Sequence, residues 1–181
     1  AHIIDHYMQT VKLLTDEELK PVFDYPIKES VTKKAHEILT ENEVDPNSYA
    51  VIIPSASKEL KCWPKENFAA LADKLNRKLQ LQVLAVGSPG DSELIKIIDS
   101  MAETKIYNFA GKTSLPELAA VLNMSRIVIS NDTGPGHIAT ALNKPLVMIF
   151  GHTNPKRLGP YGKPKSVASI NYDKRGDEIK V

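Results

Sequence analysis

Apolar positions fall into two regimes along the chain. In the first 48 residues they recur at helical spacing. Ile3, Ile4, Tyr7, Val11 and Leu14 outline a short amphipathic helix. Pro21 and Pro26 interrupt the next stretch, and residues 22–25 read as extended. Ser30 is placed to cap a second helix over 31–41, with Val31, Ala35, Ile38 and Leu39 on one face. The turn 45–48 (DPNS) closes this lead-in. From residue 49 short apolar runs alternate with amphipathic stretches. The runs 49–54, 81–86, 105–109, 126–130 and 146–150 read as strands, with a sixth over 167–170. Helices are predicted between them over 65–79, 91–101, 115–122 and 136–142; Leu94, Ile97 and Ile98 form the inward face of the second of these. Such alternation predicts an α/β fold, a Rossmann-like parallel sheet flanked by helices on both faces. The chain divides into three parts: a helical lead-in over 1–48, a sheet domain over 49–170 and a polar tail over 171–181.

Composition removes several function classes. The 181 residues suit one domain, and 42% hydrophobic with 25% charged residues is ordinary for a globular chain. A net charge of +1 suggests no nucleic-acid or anionic-membrane partner. Charge is unevenly spread, however. Residues 1–48 hold five Lys/Arg and ten Asp/Glu, whereas the remainder holds eighteen and twelve. A basic main domain suits an anionic ligand. The single cysteine, Cys62, excludes a disulfide framework and a zinc site, and fits a reducing cytosol. No apolar run is long enough to span a bilayer, and no signal peptide is visible. The first residue is not Met, as in a processed product or a fragment.

Parallel α/β sheets bind ligands at the carboxyl ends of their strands, which directs attention to the loops there. One loop stands out: Ser130-Asn131-Asp132-Thr133-Gly134-Pro135-Gly136-His137 leaves a strand and enters a helix of small residues. Gly134 and Gly136 would let the backbone turn sharply and approach a ligand. Free N–H groups and the positive pole of the helix dipole favour a phosphate there. Thr133 adds a hydroxyl donor, and His137 lies in the first helical turn, within reach of the same anion. A carboxylate beside a diphosphate would be repelled, so Asp132 fits sugar hydroxyls or a loop-holding role.

This segment resembles the signature of the family 9 glycosyltransferases, whose members include ADP-heptose:lipopolysaccharide heptosyltransferases. The similarity continues through Ala141-Leu142-Asn143-Lys144-Pro145, Phe150-Gly151-His152-Thr153-Asn154-Pro155 and Gly159-Pro160-Tyr161-Gly162. Upstream, Pro54-Ser55-Ala56-Ser57 and Lys61-Cys62-Trp63-Pro64 resemble further family motifs, so that residues 49–165 match in order and spacing. The resemblance implies the C-terminal, donor-binding half of a GT-B fold. It implies that Ser55 and Ser57 contact the donor phosphates and that Lys61 neutralises the diphosphate, acting catalytically by stabilising the leaving group. It implies that Asp91 or Glu93 contacts the ribose, and that the backbone near Lys112 and Thr113 reads adenine. Ser114 reads instead as a helix cap.

The implied function is binding of an ADP-heptose-like donor for an inverting glycosyltransferase of lipopolysaccharide core assembly. No metal or cofactor is implied, since no Asp-x-Asp motif is present. The implied partners are the nucleoside diphosphate sugar and, through another half, the lipopolysaccharide core acceptor. The implied location is the cytoplasm, or the inner-membrane surface, of a Gram-negative bacterium. Residues 2–7 resemble the segment following the family's N-terminal domain, which holds the acceptor site and catalytic carboxylate, so the chain is expected to start at the hinge and to be inactive alone. The family's C-terminal return helix has no counterpart in the polar tail. Two alternatives stay open: a GT-B transferase domain with another nucleotide-sugar or acceptor, and a non-catalytic nucleotide-binding module.

Overall fold

Side chains that alternate along a strand must find apolar cover on both faces of a fully buried sheet, and this chain supplies it twice over. The computed structural model describes residues 1–169. Six strands form in chain order: β1 (Tyr49–Ile53), β2 (Gln82–Ala85), β3 (Ile106–Asn108), β4 (Ile127–Asn131), β5 (Leu146–Ile149) and β6 (Val167–Ala168). All pairings are parallel, in the spatial order β3-β2-β1-β4-β5-β6. This is the Rossmann arrangement, with its switch point between β1 and β4. Along β1, Tyr49, Val51 and Ile53 enter one core layer. Ala50 and Ile52 enter the other.

The first layer is completed by α2 (Glu29–Glu41), α5 (Leu115–Met124) and α6 (Gly134–Ala141), through Ala35, Leu39, Ala120, Val121 and Ala139. The second is completed by α3 (Lys65–Leu79) and α4 (Ser92–Met101), through Phe68, Ala72, Leu75, Ile95 and Ile98. One polar side chain is carried into the first layer: the buried Tyr49 hydroxyl donates to Val121 O at 2.6 Å. Burial pushes that phenol well above its ordinary pKa. A short α7 (Pro155–Leu158) lies after β5.

Two helix phases differ from expectation. In α4 the inward residues are Ile95 and Ile98, while Ile97 is 43% exposed. A 3-10 turn over Pro89–Asp91 takes up Asp91, the first residue of the predicted helix, and the buried stripe runs from Ile95 to Ile98. In α2 the helix begins at Glu29 with Lys28 at the cap, so Ser30 is an interior residue and no side chain caps this end.

The amphipathic helix expected at the start forms as α1 (Ile3–Thr15), capped by the His2 ring, but none of its residues is buried. Tyr7, Leu13 and Leu14 are among the most exposed apolar side chains. The N-terminal end of the helix is fastened by two bonds. His2 Nε2 lies 2.8 Å from Gly159 O, and the Tyr161 hydroxyl donates to Asp5 at 2.7 Å. Residues 17–28 have no regular structure. The last predicted strand residue, Ile170, and the polar tail 171–181, which was set against the family's return helix, lie outside the described residues. No helix among the described residues is long and apolar enough to cross a membrane.

Candidate functional site

At the switch point the loops after β1 and β4 diverge, as they must when one chain continues to the left of the sheet and the other to the right. The opening is a cleft of about 470 Å³. Ser55, Ser57, Asp91, Thr113 and Thr133 all line it, contributed by the loops after β1, β2, β3 and β4. Five residues from four separate loops therefore meet in one cavity. A second cleft, about 510 Å³, opens between Leu60, Trp63, Leu94 and Ile98, and none of the predicted site residues lines it.

The two acids considered for a ribose contact are separated by the fold. Asp91 turns into the cleft and caps its own 3-10 turn, accepting from Ser88 N at 2.6 Å and Ser88 Oγ at 2.7 Å. Gly87 leaves room for this carboxylate, because a Cβ there would sit 2.7 Å from its oxygen. Glu93 is exposed on α4 and pairs with Lys96. The β3 loop is locked onto the β2 loop. Gly111 N donates to Gly87 O at 3.0 Å, and Gly111 has a φ of +69° with Pro89 packed where a Cβ would be. Lys112 is not turned to the cleft. Its Nζ bonds Asn42 Oδ1 at 2.6 Å across the Phe109 ring, and its N–H closes a turn on Phe109 O. Ser114 caps α5 reciprocally with Glu117. Glu117 also receives Lys34, and Lys34 first, then Ser114, holds its carboxyl down at about 2.

On the other side the loops are joined by charge. Asp132, at the end of β4, is nearly buried and accepts on one oxygen from Lys61 Nζ and from the Thr153 hydroxyl, both at 2.7 Å. Its second oxygen lies 3.6 Å from His137 Nε2. Burial raises the Asp132 carboxyl, but His137, Lys61 and Thr153 outweigh it and hold the group at about 2. Lys61 is only 19% exposed, so this is a partly desolvated ion pair rather than a solvated lysine. Beneath it, the fully buried Asn131 side chain accepts from Trp63 N and donates to Pro54 O. One amide thereby fixes both ends of the segment that carries Ser55, Ser57 and Lys61.

The glycines of the signature act differently from the expectation of a sharp turn. Neither Gly134 nor Gly136 has a positive φ. A Cβ on Gly136 would lie 2.9 Å from Ser130 Oγ and 3.1 Å from Met148 Cε, so this residue lets α6 pack against the sheet. A Cβ on Gly134 would meet nothing within 4 Å. The space beside the helix start is thus open. Of the first helical N–H groups, those of Gly136 and His137 turn back to Thr133 through long bonds of 3.5 and 3.3 Å, and Pro135 has none.

Sequence reasoning missed Thr153 and gave no role to Asn131. Thr153 lies in the 150–155 motif just past a strand end, which is where a polar residue reaches the crevice. Its partner, Asp132, lies in another loop.

The comparisons with known proteins bear on the family and the fold. The sequence profile of glycosyltransferase family 9 (heptosyltransferase) matches residues 1–179. The lipopolysaccharide core heptosyltransferase OpsX of Haemophilus influenzae is 28% identical over 93% of this chain and 48% of its own length. A family 9 glycosyltransferase of Veillonella parvula superposes with a TM-score of 0.82 at 27% identity, over 93% of this chain and 49% of that one. Escherichia coli ADP-heptose lipopolysaccharide heptosyltransferase II superposes with a TM-score of 0.69 at 25% identity, over 85% and 46%. The chain spans about half the length of these relatives and has the fold of one half of the GT-B architecture. It is a member of glycosyltransferase family 9.

Proposed function

We propose that this chain is the donor-binding domain of an inverting heptosyltransferase of lipopolysaccharide core assembly, with an ADP-heptose-like nucleotide-sugar as its ligand. The observation that carries the reading is the convergence of Ser55, Ser57, Asp91, Thr113 and Thr133 on one switch-point cleft; Lys61 and Asp132 do not line it, but they pair with each other from the loops after β1 and β4. The nucleoside lies toward Asp91 and Thr113, on the β2 and β3 side. The diphosphate lies toward Ser55, Ser57, Thr133 and the Gly134 N–H. Lys61 exchanges its carboxylate partner for the diphosphate, and its charge stabilises the leaving group as the glycosidic bond breaks. Asp132 then faces the sugar hydroxyls. On this reading the base and the acceptor site belong to another half, which α1 would adjoin as the hinge. Residues 49–170 would form the donor domain, with the tail 171–181 outside it.

Titration calorimetry of the folded chain with ADP, UDP and GDP tests the reading. ADP preference is expected. UDP preference would move the site to another donor class, and no binding at all would leave a non-catalytic module. Lys61→Ala is expected to weaken ADP at least tenfold while leaving adenosine within about twofold, since a charge-assisted bond contributes about 1.5–3 kcal/mol. Equal losses for both ligands would remove Lys61 from the phosphate site. Sugar transfer by the 181-residue chain alone would break the view that the chemistry needs another half.

A further inference from the structure

We propose that Thr153 is a positioning residue whose hydroxyl, by holding Asp132, frees Lys61 to leave that carboxylate for a donor diphosphate. The inference rests on the donor reading above and extends it to a residue that touches no phosphate.

To meet a diphosphate, Lys61 has to change partners. Its ammonium is committed to Asp132 Oδ2 at 2.7 Å, with only 19% of the lysine side chain and 7% of the aspartate side chain exposed. Removing one partner of such a pair leaves a charge with little water around it, which is costly. A diphosphate that draws Lys61 away therefore has to overcome that cost. The cost depends on what else Asp132 retains.

Thr153 is the other close donor, at 2.7 Å, to the same oxygen. It comes from a different loop, after β5, whereas Lys61 comes after β1 and Asp132 directly follows β4. Because the hydroxyl is neutral, an incoming anion has little pull on it. It stays on Asp132 when the ammonium departs. His137 lies farther away, at 3.6 Å from the opposite oxygen, and is nearly half exposed. The two partners on Oδ2 thus differ in kind: one is drawn toward an anion and the other stays. Burial raises the Asp132 carboxyl, and His137, then Lys61, then Thr153 together hold it well below its ordinary value. Without the Thr153 hydroxyl, Asp132 would depend on Lys61 more heavily and hold it back from the phosphate.

The test is a set of calorimetric titrations with ADP and adenosine on the 181-residue chain, with folding checked by thermal melting. Thr153→Val keeps the shape and removes the donor. It is expected to weaken ADP about tenfold and adenosine less than twofold. Thr153→Ser should restore ADP binding. In an Asp132→Asn background, where no charge is left to satisfy, Thr153→Val should change ADP binding less than twofold. Equal losses for ADP and adenosine, no loss at all, the same loss in the Asp132→Asn background, or failure of Thr153→Ser to restore binding would each overturn the proposal. Carbon-13 titration of the Asp132 carboxyl without ligand adds a separate readout. Thr153→Val should move its midpoint upward, and an unmoved midpoint would also overturn the proposal. If the folded wild-type chain bound no ADP, the donor reading itself would fail and this inference with it. ADP binding that is indifferent to Thr153 would overturn the inference alone.

Discussion

The two sides of the switch-point cleft are built from different materials. On the β2 and β3 side, a backbone bond joins the loops: Gly111 bonds Gly87 and Pro89 fills the space beside Gly111, while the Asp91 carboxylate caps its own turn through Ser88. On the β1, β4 and β5 side, side chains hold the loops together: Lys61, Asp132 and Thr153 above, and Asn131 below. The first design joins its loops without an ion pair between them. The second can exchange one ionic partner for another. A nucleoside needs a fixed shape, whereas a diphosphate needs charge that can be redirected. The division of materials matches the proposed placement of nucleoside and diphosphate.

The contrast can be broken most forcefully at Asn131. Asn131→Ala cuts two buried hydrogen bonds to Pro54 and Trp63, and about 3–4 kcal/mol of stability should be lost. Urea unfolding measures it; a loss under about 1 kcal/mol would show that the β1 loop is held by something else. On the β2 and β3 side, Gly111→Ala meets both a left-handed φ and Pro89 at 2.8 Å, for an expected loss of about 2–3 kcal/mol. Gly90→Ala, whose Cβ would have only Ser88 Oγ nearby at 3.7 Å, is its control and should be near neutral.

Acid sharpens the comparison further. Asp132 and Glu117 each lie at about 2 in the folded chain, below their ordinary values. A carboxyl lowered by folding contributes stability that is complete above its unfolded pKa and is lost as pH falls through its folded one. Melting temperature should therefore decline between about pH 4 and pH 2. Asp132→Asn should make that decline shallower, and an equally steep curve in the variant would contradict the low value assigned to Asp132. The smallest effects concern the two acids near β2. Asp91→Asn should weaken ADP about tenfold, while Glu93→Gln should stay within about twofold. Reversal of that order in calorimetry would exchange their assignments.

Strands were the most legible part of the chain, since apolar runs such as 49–53 carry their own signal whichever face they cover. Helix phase was less so. Ile95 and Ile97 are both plausible inward residues until one knows where the 3-10 turn hands over to α4. Within the site, residue types at strand ends identified the cleft, because topology alone brings those ends together. Pairings were not legible. Lys61 and Asp132 are 71 positions apart, and which cation an aspartate meets depends on how three loops converge. Lys112 teaches the reverse lesson. It sits in the right loop, yet its side chain finds the Asn42 amide oxygen at the end of α2 and leaves the cleft.

The Asn131–Pro54 bond joins residues 77 positions apart, and the β1–β4 ladder beneath it is equally non-local. Closing so long a loop costs chain entropy before any native contact offsets it, so parallel pairing of this kind forms slowly. The cleft lies where that closure happens. It therefore has no partial version: a folding chain with β1, β2 and β3 assembled has a sheet edge but no crevice. Nucleotide affinity should accordingly appear late in refolding, with the final cooperative step, and ADP should slow unfolding of the whole sheet rather than of one loop.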